Sequence, residues 1–295
     1  MSSETTSSYF GKPKSVVSSE LKATEEVECP VCRVPPKMFA VDYQGFHLCR
    51  CPVCDLEFVN PRLSFDQLAE SVYTDAYFAG DGNTDQLSPN EISKFAHQTA
   101  TYERLLGRRG SLLDVGCGSG AFLRFAHEAG WKVSGTDIHI APEARRLEFP
   151  LWGGRLQDVD FGDNRFDLIR FNHVLEHTQN PLAELTLTRE LLNPAGIIHI
   201  SVPNIAGISP RMKNLQSRLF LKSRRWRHYA AMHHLFFFAP KTMRRVVEAA
   251  GLRVLHWETP VLGKEHQHPA IEELYRQTLG RLHTASILDF YCTFA

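Results

Sequence analysis

Residues 112–123 read LLDVGCGSGAFL. A short apolar run, LLDV, gives way to glycines at 116, 118 and 120, and AFLRFAHEAG then follows with helical character. Glycine lets a backbone approach a ligand closely, and the first turn of a following helix presents free amides. Downstream, KVSGTDI (132–138) is a second strand ending at Asp137. A carboxylate at that strand end can accept both hydroxyls of a ribose. The dinucleotide fingerprint G-x-G-x-x-G is not met, because position 121 is Ala. Beyond it, EARRLEF is a short helix and RFDLIRF (165–171) a strand. PLAELTLTRELLN is a helix with Pro181 in its first turn, and GIIHISVPN is a strand. PKTMRRVVEAAG is a helix closed by Gly251, and LRVLHWETP and ASILDFYCTFA are the last two strands. Strands alternating with helices predict an α/β, doubly wound (Rossmann-like) sheet, with its ligand at the carboxyl ends of the strands.

Upstream lies a second signal. CPVC (29–32) is followed by HLCRCPVC (47–54), and five of the seven cysteines fall between 29 and 54. Cys29, Cys32, Cys51 and Cys54 form two C-x2-C turns, the spacing that places four thiolates on one tetrahedral Zn2+. The intervening PKMFAVDYQGFHL reads as a hairpin, so residues 27–62 are expected to form a zinc ribbon too small to hold a core without its metal. Cys49 competes with Cys51, but only Cys51 makes C-x2-C with Cys54. Such turns often carry Gly after the second cysteine, and here Arg33 and Asp55 stand there. With four cysteine ligands the metal has no open position, so its role is structural.

Composition sets limits. The chain has 295 residues, with 33 basic and 33 acidic side chains. That balance gives no chain-wide attraction to nucleic acid or membranes. No apolar run approaches the roughly 20 residues of a membrane span, and residues 1–26 read as a polar tail without a secretory signal. Clustered cysteines in such a chain favour a reducing, cytoplasmic setting.

Taken together, these stretches resemble the class I S-adenosylmethionine-dependent methyltransferases. LLDVGCGSGAFL resembles their first motif, GTDI the ribose motif, FDLIRFNHVLEHTQNP the fourth-strand motif and LNPAGIIHISVPN the next. CPVC…RCPVCDLEFVNPR…YTDAYF resembles the subgroup with an N-terminal zinc ribbon. The resemblance implies that Gly116, Cys117, Gly118 and Gly120 hold the amino-acid end of S-adenosylmethionine, with Asp114 fixing that loop. It implies that Asp137 binds the ribose, Ile138 packs on the adenine, and Leu156 offers a backbone contact. Asn172 and His173 would sit beside the sulfonium and the acceptor, and Tyr77 with Phe78 would cover the cofactor. Arg155 stands where the family usually has Asp, so Gln157 or Asp158 would have to reach the adenine amino group. The last two strands should form the antiparallel hairpin of this fold. The implied organisation is a tail (1–26), the ribbon (27–62), a helical linker with a cofactor-covering segment (63–109) and the methyltransferase domain (110–295), in which 205–235 is an acceptor-side insert.

A methyl acceptor with a removable proton needs a base, and histidine titrates near neutrality. His234, which precedes the phenylalanine-rich strand, and His173 are the candidates. Their rival reading is as hydrogen-bonded structural histidines, and His177 and Glu176 share that reading. The stretch from Ser209 to His228 holds seven Lys or Arg and no acid. It fits an acidic acceptor, RNA, or a solvated amphipathic helix. The segment between the last two strands, KEHQHPAIEELYRQTLGRLHTA, reads as a helical lid or a self-association surface, so a homodimer is one expected state. The function implied is methylation of an oxygen, nitrogen or carbon of a sugar, nucleotide sugar or specialised metabolite, an acidic acceptor bearing a phosphate or a carrier being one option. The alternatives are an RNA methyltransferase and a non-catalytic cofactor-binding scaffold. Neither a membrane nor a nucleic acid is the expected partner, since the ribbon is not strongly basic and no N-P-P-Y or D-P-P-Y motif appears.

Overall fold

The computed structural model describes residues 24–73, 87–261, 278, 280 and 282–295. In chain order the strands are β1 (Thr24–Glu25), β2 (Lys37–Val41), β3 (His47–Arg50), β4 (Glu57–Val59), β5 (Arg62–Leu63), β6 (Ser111–Val115), β7 (Lys132–Asp137), β8 (Leu151–Gly153), β9 (Phe166–Asn172), β10 (Leu192–Pro203), β11 (Phe236–Phe237), β12 (Leu252–Glu258) and β13 (Ile287–Phe294). The α-helices are α1 (Phe65–Ser71), α2 (Pro89–Leu106), α3 (Ala121–Glu128), α4 (Pro142–Arg145), α5 (Pro181–Glu190), α6 (Ile208–Arg218) and α7 (Pro240–Ala249).

The central sheet has seven strands in the order β12-β13-β10-β9-β6-β7-β8. β8, β7, β6, β9 and β10 run parallel, and β13 is antiparallel to both β10 and β12. The expected terminal hairpin is therefore present. After β6 the chain adds strands on one side, then returns to lay β9 on the other. The switch point lies between β6 and β9, where a doubly wound sheet opens a crevice for a ligand.

Local chemistry explains the element ends. α2 begins with a capping box, in which Ser88 and Glu91 satisfy each other's backbone amides, and Pro89 occupies the first turn. It ends at Gly107 with φ +71°. α5 is capped by Asn180 and starts at Pro181, as its sequence predicts.

The front of the chain forms a four-stranded sheet, β11-β4-β3-β2. Its fourth strand is not local: β11 comes from far along the sequence and pairs Phe236 with Phe58. Further backbone bonds run from Tyr43 N to Arg225 O and from Val59 N to Leu235 O, each 3.0 Å. Leu48, Leu56 and Phe58 of the ribbon share one continuous apolar cluster with Phe171, Ile200 and Phe236. The ribbon thus draws its core from the larger domain, which relieves the small-lobe problem that its length alone poses.

Candidate active site

The glycine loop follows β6 at the switch point. Gly116, Gly118 and Gly120 all take positive φ, at +71°, +53° and +80°. A Cβ on Gly116 would lie 2.3 Å from Val174 Cγ2, so no other residue fits without displacing the turn after β9. The loop is anchored sideways: Gly116 N donates to Thr136 O at 2.7 Å. Asp137, at the end of β7, accepts from Gly118 N at 2.8 Å through Oδ2 and from His139 N at 3.1 Å through Oδ1. Burial pushes its carboxyl upward while these amides pull it back. Cys117 is buried, with its sulfur packed over Gly135. Ile138 is 41% exposed just beyond Asp137, and Leu156 is buried at a short 3-10 turn.

Two departures from expectation stand out. Asp114 pairs with Arg170, at 2.7 Å, where the resemblance had it fix the glycine loop. The amide of Gly118 is held instead by Asp137. Arg155 pairs with Asp158 and lies over the Phe65 ring at 4.7 Å, so both side chains are engaged with each other at the surface. Tyr77 and Phe78 lie outside the described residues.

One face of the sheet carries two successive polar rows. Asp114, Arg170, His199 and Tyr291 are register partners across β6, β9, β10 and β13. One step toward the carboxyl edge come Asn172, Ser201, Asp289 and Glu258, on β9, β10, β13 and β12. α2 closes over this face. Gln98 Oε1 accepts from Arg170, Gln98 Nε2 reaches Asn172 Oδ1 at 3.5 Å, Tyr102 bonds His199 at 2.6 Å, and His97 bonds Glu258 at 2.8 Å. Asp289 is 1% exposed and lies 3.5 Å from His199 Nε2; against the upward push of burial, His199 and Ser201 hold its carboxyl below the ordinary value.

The turn after β9 holds the candidate bases. His173 takes φ +56°, a costly conformation for a residue with a side chain. Its neighbour Val174 packs on Gly116, which fixes His173 beside the glycine loop. His173 Nδ1 lies 3.3 Å from Oε1 of the buried Glu176. The segment before β11 packs against the same turn, with Leu235 N donating to Glu176 O at 2.8 Å and His177 Nδ1 2.9 Å from His233 O. The rings of His177 and His234 meet edge to face at 4.7 Å, and those of His177 and His233 stack at 5.5 Å. One ligand atom each from Glu176, His177 and His234 lies within 4.8 Å of the others. Burial, then the neighbouring His177, pushes His233 down to about 3, and the same causes with His233 hold His234 well below the ordinary value.

In the ribbon, the sulfurs of Cys29, Cys32, Cys51 and Cys54 lie within 4.8 Å of one another, and none is in a disulfide. Two equivalent turns build the cluster. Arg33 N donates to Cys29 O at 2.8 Å and Asp55 N to Cys51 O at 3.1 Å. The amides of Val53 and Cys54 point at Cys51 Sγ, at 3.4 and 3.5 Å. Arg33 and Asp55 take φ +53° and +66°, the left-handed conformation that Gly would adopt without strain. Cys49 is outside the cluster, with its thiol 3.4 Å from Asn60 O. Four soft ligands in this arrangement fit a tetrahedral Zn2+.

A family model described as a methyltransferase domain matches residues 88–257, more than half of the chain. The chain belongs to that family. Among curated proteins, this methyltransferase is 33% identical to the ubiquinone biosynthesis O-methyltransferase of Cereibacter sphaeroides over 101 residues, 32% of this chain and 41% of that protein. It is 28% identical to the enzyme of that name from Dinoroseobacter shibae over 149 residues, 48% of this chain and 59% of that protein. The chain spans about half the length of the curated relatives it matches. Among solved structures, the methyltransferase resembles the Burkholderia thailandensis 1,6-didemethyltoxoflavin-N1-methyltransferase, which holds 1,6-didemethyltoxoflavin and S-adenosylhomocysteine. The TM-score is 0.55 at 18% identity, covering 88% of this chain and 99% of that one, and this likeness shows a shared fold.

Sequence reading did not single out Arg170, Gln98 or Asp289. Arg170 carried a usable signal, a charge set between Ile169 and Phe171 in the middle of a strand. Such a charge requires a buried partner.

Proposed function

We propose that this methyltransferase transfers a methyl group from S-adenosylmethionine to an oxygen, nitrogen or carbon of a small polar acceptor. Sugars, nucleotide sugars and specialised metabolites are the classes intended. The observation that carries this reading is the glycine loop at the switch point, anchored by Asp137 and flanked by the strained His173. S-adenosylmethionine supplies a methyl on a positively charged sulfur, an electrophile that needs little further activation. Gly116, Cys117, Gly118 and Gly120 would hold its amino-acid end, Asp137 would accept the ribose hydroxyls, and Ile138 and Leu156 would flank the adenine. Asp114 acts one layer below, holding Arg170 and through it Gln98 and Asn172 in place.

His173 is the base we favour. Glu176 engages Nδ1, which leaves Nε2 to take the acceptor proton. His234 would act as a second base or as a positioning residue, and burial, which holds it well below the ordinary value, favours the positioning role. The four ribbon thiolates would hold one structural Zn2+, consistent with a reducing, cytoplasmic setting. The acid-free run of Lys and Arg from 211 to 227 supports a phosphate-bearing or carrier-linked acceptor.

Calorimetric titration with S-adenosylmethionine and S-adenosylhomocysteine tests the reading. Saturable binding is expected, weakened about 10- to 100-fold by Asp137→Ala through loss of charge-assisted hydrogen bonds. Absence of binding in a folded protein would overturn it. Binding without turnover across acidic sugars and carrier-linked metabolites would favour the scaffold alternative.

A further inference from the structure

An amphipathic helix in a globular protein normally turns its apolar stripe to the core. α6 does the reverse. At about 100° per residue, Ile208, Met212, Leu215 and Leu219 fall in one stripe about 60° wide. All four are exposed, Met212 at 58% and Leu215 and Leu219 at 57% each. The opposite side, Pro210, Asn214 and Ser217, faces the protein and is tied down by polar contacts. Ser217 is fully buried, and its Oγ accepts from Trp226 N at 3.0 Å. Asn214 Oδ1 lies 2.6 Å from His228 Nε2, and its Nδ2 donates to Tyr229 OH at 3.4 Å. The helix is therefore held by its polar face and presents its apolar face outward.

The stripe continues past the helix into Phe220 and Leu221, 73% and 69% exposed. Single exposed leucines are ordinary, but a contiguous apolar ridge on a soluble surface marks a docking site. Its flanks have one sign of charge. Arg211 and Arg218 lie on one side of the stripe, Lys213 on the other, and Lys222 and Arg224 follow the tip. No acid occurs from Ile208 to His228, in a chain whose 33 basic and 33 acidic residues otherwise cancel.

We propose that α6 and its tip dock peripherally on an anionic lipid surface, with the apolar ridge entering the acyl boundary and the cations meeting the headgroups. Basic flanks around an aliphatic face are the features that hold an interfacial helix on such a surface. A single-stranded nucleic acid would call for stacking aromatics. Here the ridge is aliphatic apart from Phe220, whose ring carries the Arg225 guanidinium at 3.9 Å. No helix among the described residues is long and apolar enough to cross a membrane. Peripheral docking needs no such helix, so the composition-level expectation of no membrane partner does not reach this surface. The inference draws on the same cations as the proposed acidic acceptor, and its test reads vesicle binding rather than methyl transfer.

The experiment is flotation of the full chain with vesicles of mixed phosphatidylglycerol and phosphatidylcholine, against phosphatidylcholine alone. Binding to the anionic vesicles is expected, falling with added salt. Two variants of exposed residues dissect it: Phe220→Ser with Leu221→Ser removes apolar contact, and Arg211→Glu with Arg218→Glu reverses two charges. Each should lower partitioning about tenfold or more while leaving thermal melting unchanged. Failure of the wild-type chain to float at low salt overturns the proposal. So does undiminished flotation of the apolar variant, which would reduce the contact to charge alone. If sizing shows that variant converting a dimer to a monomer, with no vesicle binding by either, the ridge belongs to a second copy of this chain and the proposal fails.

Discussion

Arg170 sits in the middle of β9 with 3% of its side chain exposed, where an apolar residue would be the default. Its guanidinium donates to Asp114 Oδ1 at 2.7 Å and to Gln98 Oε1 at 3.1 and 3.3 Å, and rests on the Phe122 ring at 3.8 Å. Burial pushes the Asp114 carboxyl upward, and Arg170 works against that. A buried pair contributes little net stability over an apolar pair, yet losing one member strands the other. Arg170→Met should therefore cost about 3–5 kcal/mol in urea unfolding. Asp114→Leu with Arg170→Met should cost less than the sum of the two single changes. Additive costs would show that the two groups do not compensate each other. The glycines at 116, 118 and 120 were legible because only Gly takes those φ values cheaply. The Arg170 partnership was not, because it depends on register: Asp114 and Arg170 are 56 residues apart and become neighbours only once β6 and β9 pair.

At the scale of elements, the turn after β9 and the segment before β11 pack as a unit around His177, His233 and His234. All three histidines are depressed, each first by burial. Glu176 opposes this at His177, while the charges of neighbouring histidines add to it. In the unfolded chain such a histidine takes its proton near the ordinary 6.5, whereas folded His233 waits until about 3. Between those values the unfolded state binds more protons, so falling pH favours unfolding. The contribution is complete above about 6.5 and is lost as pH drops from there toward 3. Each fully shifted histidine adds up to about 1.4 kcal/mol per pH unit in that window. Urea midpoints should fall steeply from pH 7 to pH 5, and His233→Gln should flatten the slope. Equal midpoints at pH 7 and pH 5 would mean that these rings stay solvated. The sequence showed NHVLEH and MHHLFFF as separate histidine stretches, and nothing in their spacing says that they meet.

At the scale of the molecule, the ribbon and the larger domain share a strand as well as a surface. By sequence β11 follows directly on residues 205–235 and starts two residues beyond His234, and by pairing it belongs to the ribbon sheet. Tyr229 OH adds a bond to Glu57 Oε2 at 2.9 Å, and Arg245 of α7 donates to Val53 O at 3.1 Å, beside the cysteine cluster. A Zn2+ in the four-cysteine site would therefore act at a distance on the histidines, through β4 and β11. The glycine loop and Asp137 hang from β6 and β7, away from those pairings. Stripping the metal with a strong chelator, or Cys51→Ser, should divide the two functions. S-adenosylhomocysteine affinity is expected to stay within about threefold, while methyl transfer falls about tenfold or more, because small displacements of a catalytic group are costly. Titration calorimetry and a turnover assay on the same metal-free, folded sample make the measurement. Full turnover in that sample would reduce the ribbon to an appendage. An equal loss of binding and turnover would mean that the metal supports the whole sheet rather than its acceptor side. The sequence announces the two C-x2-C pairs plainly, but their link to the site depends on the two-residue strand FF at 236–237, too short for any periodicity to reveal.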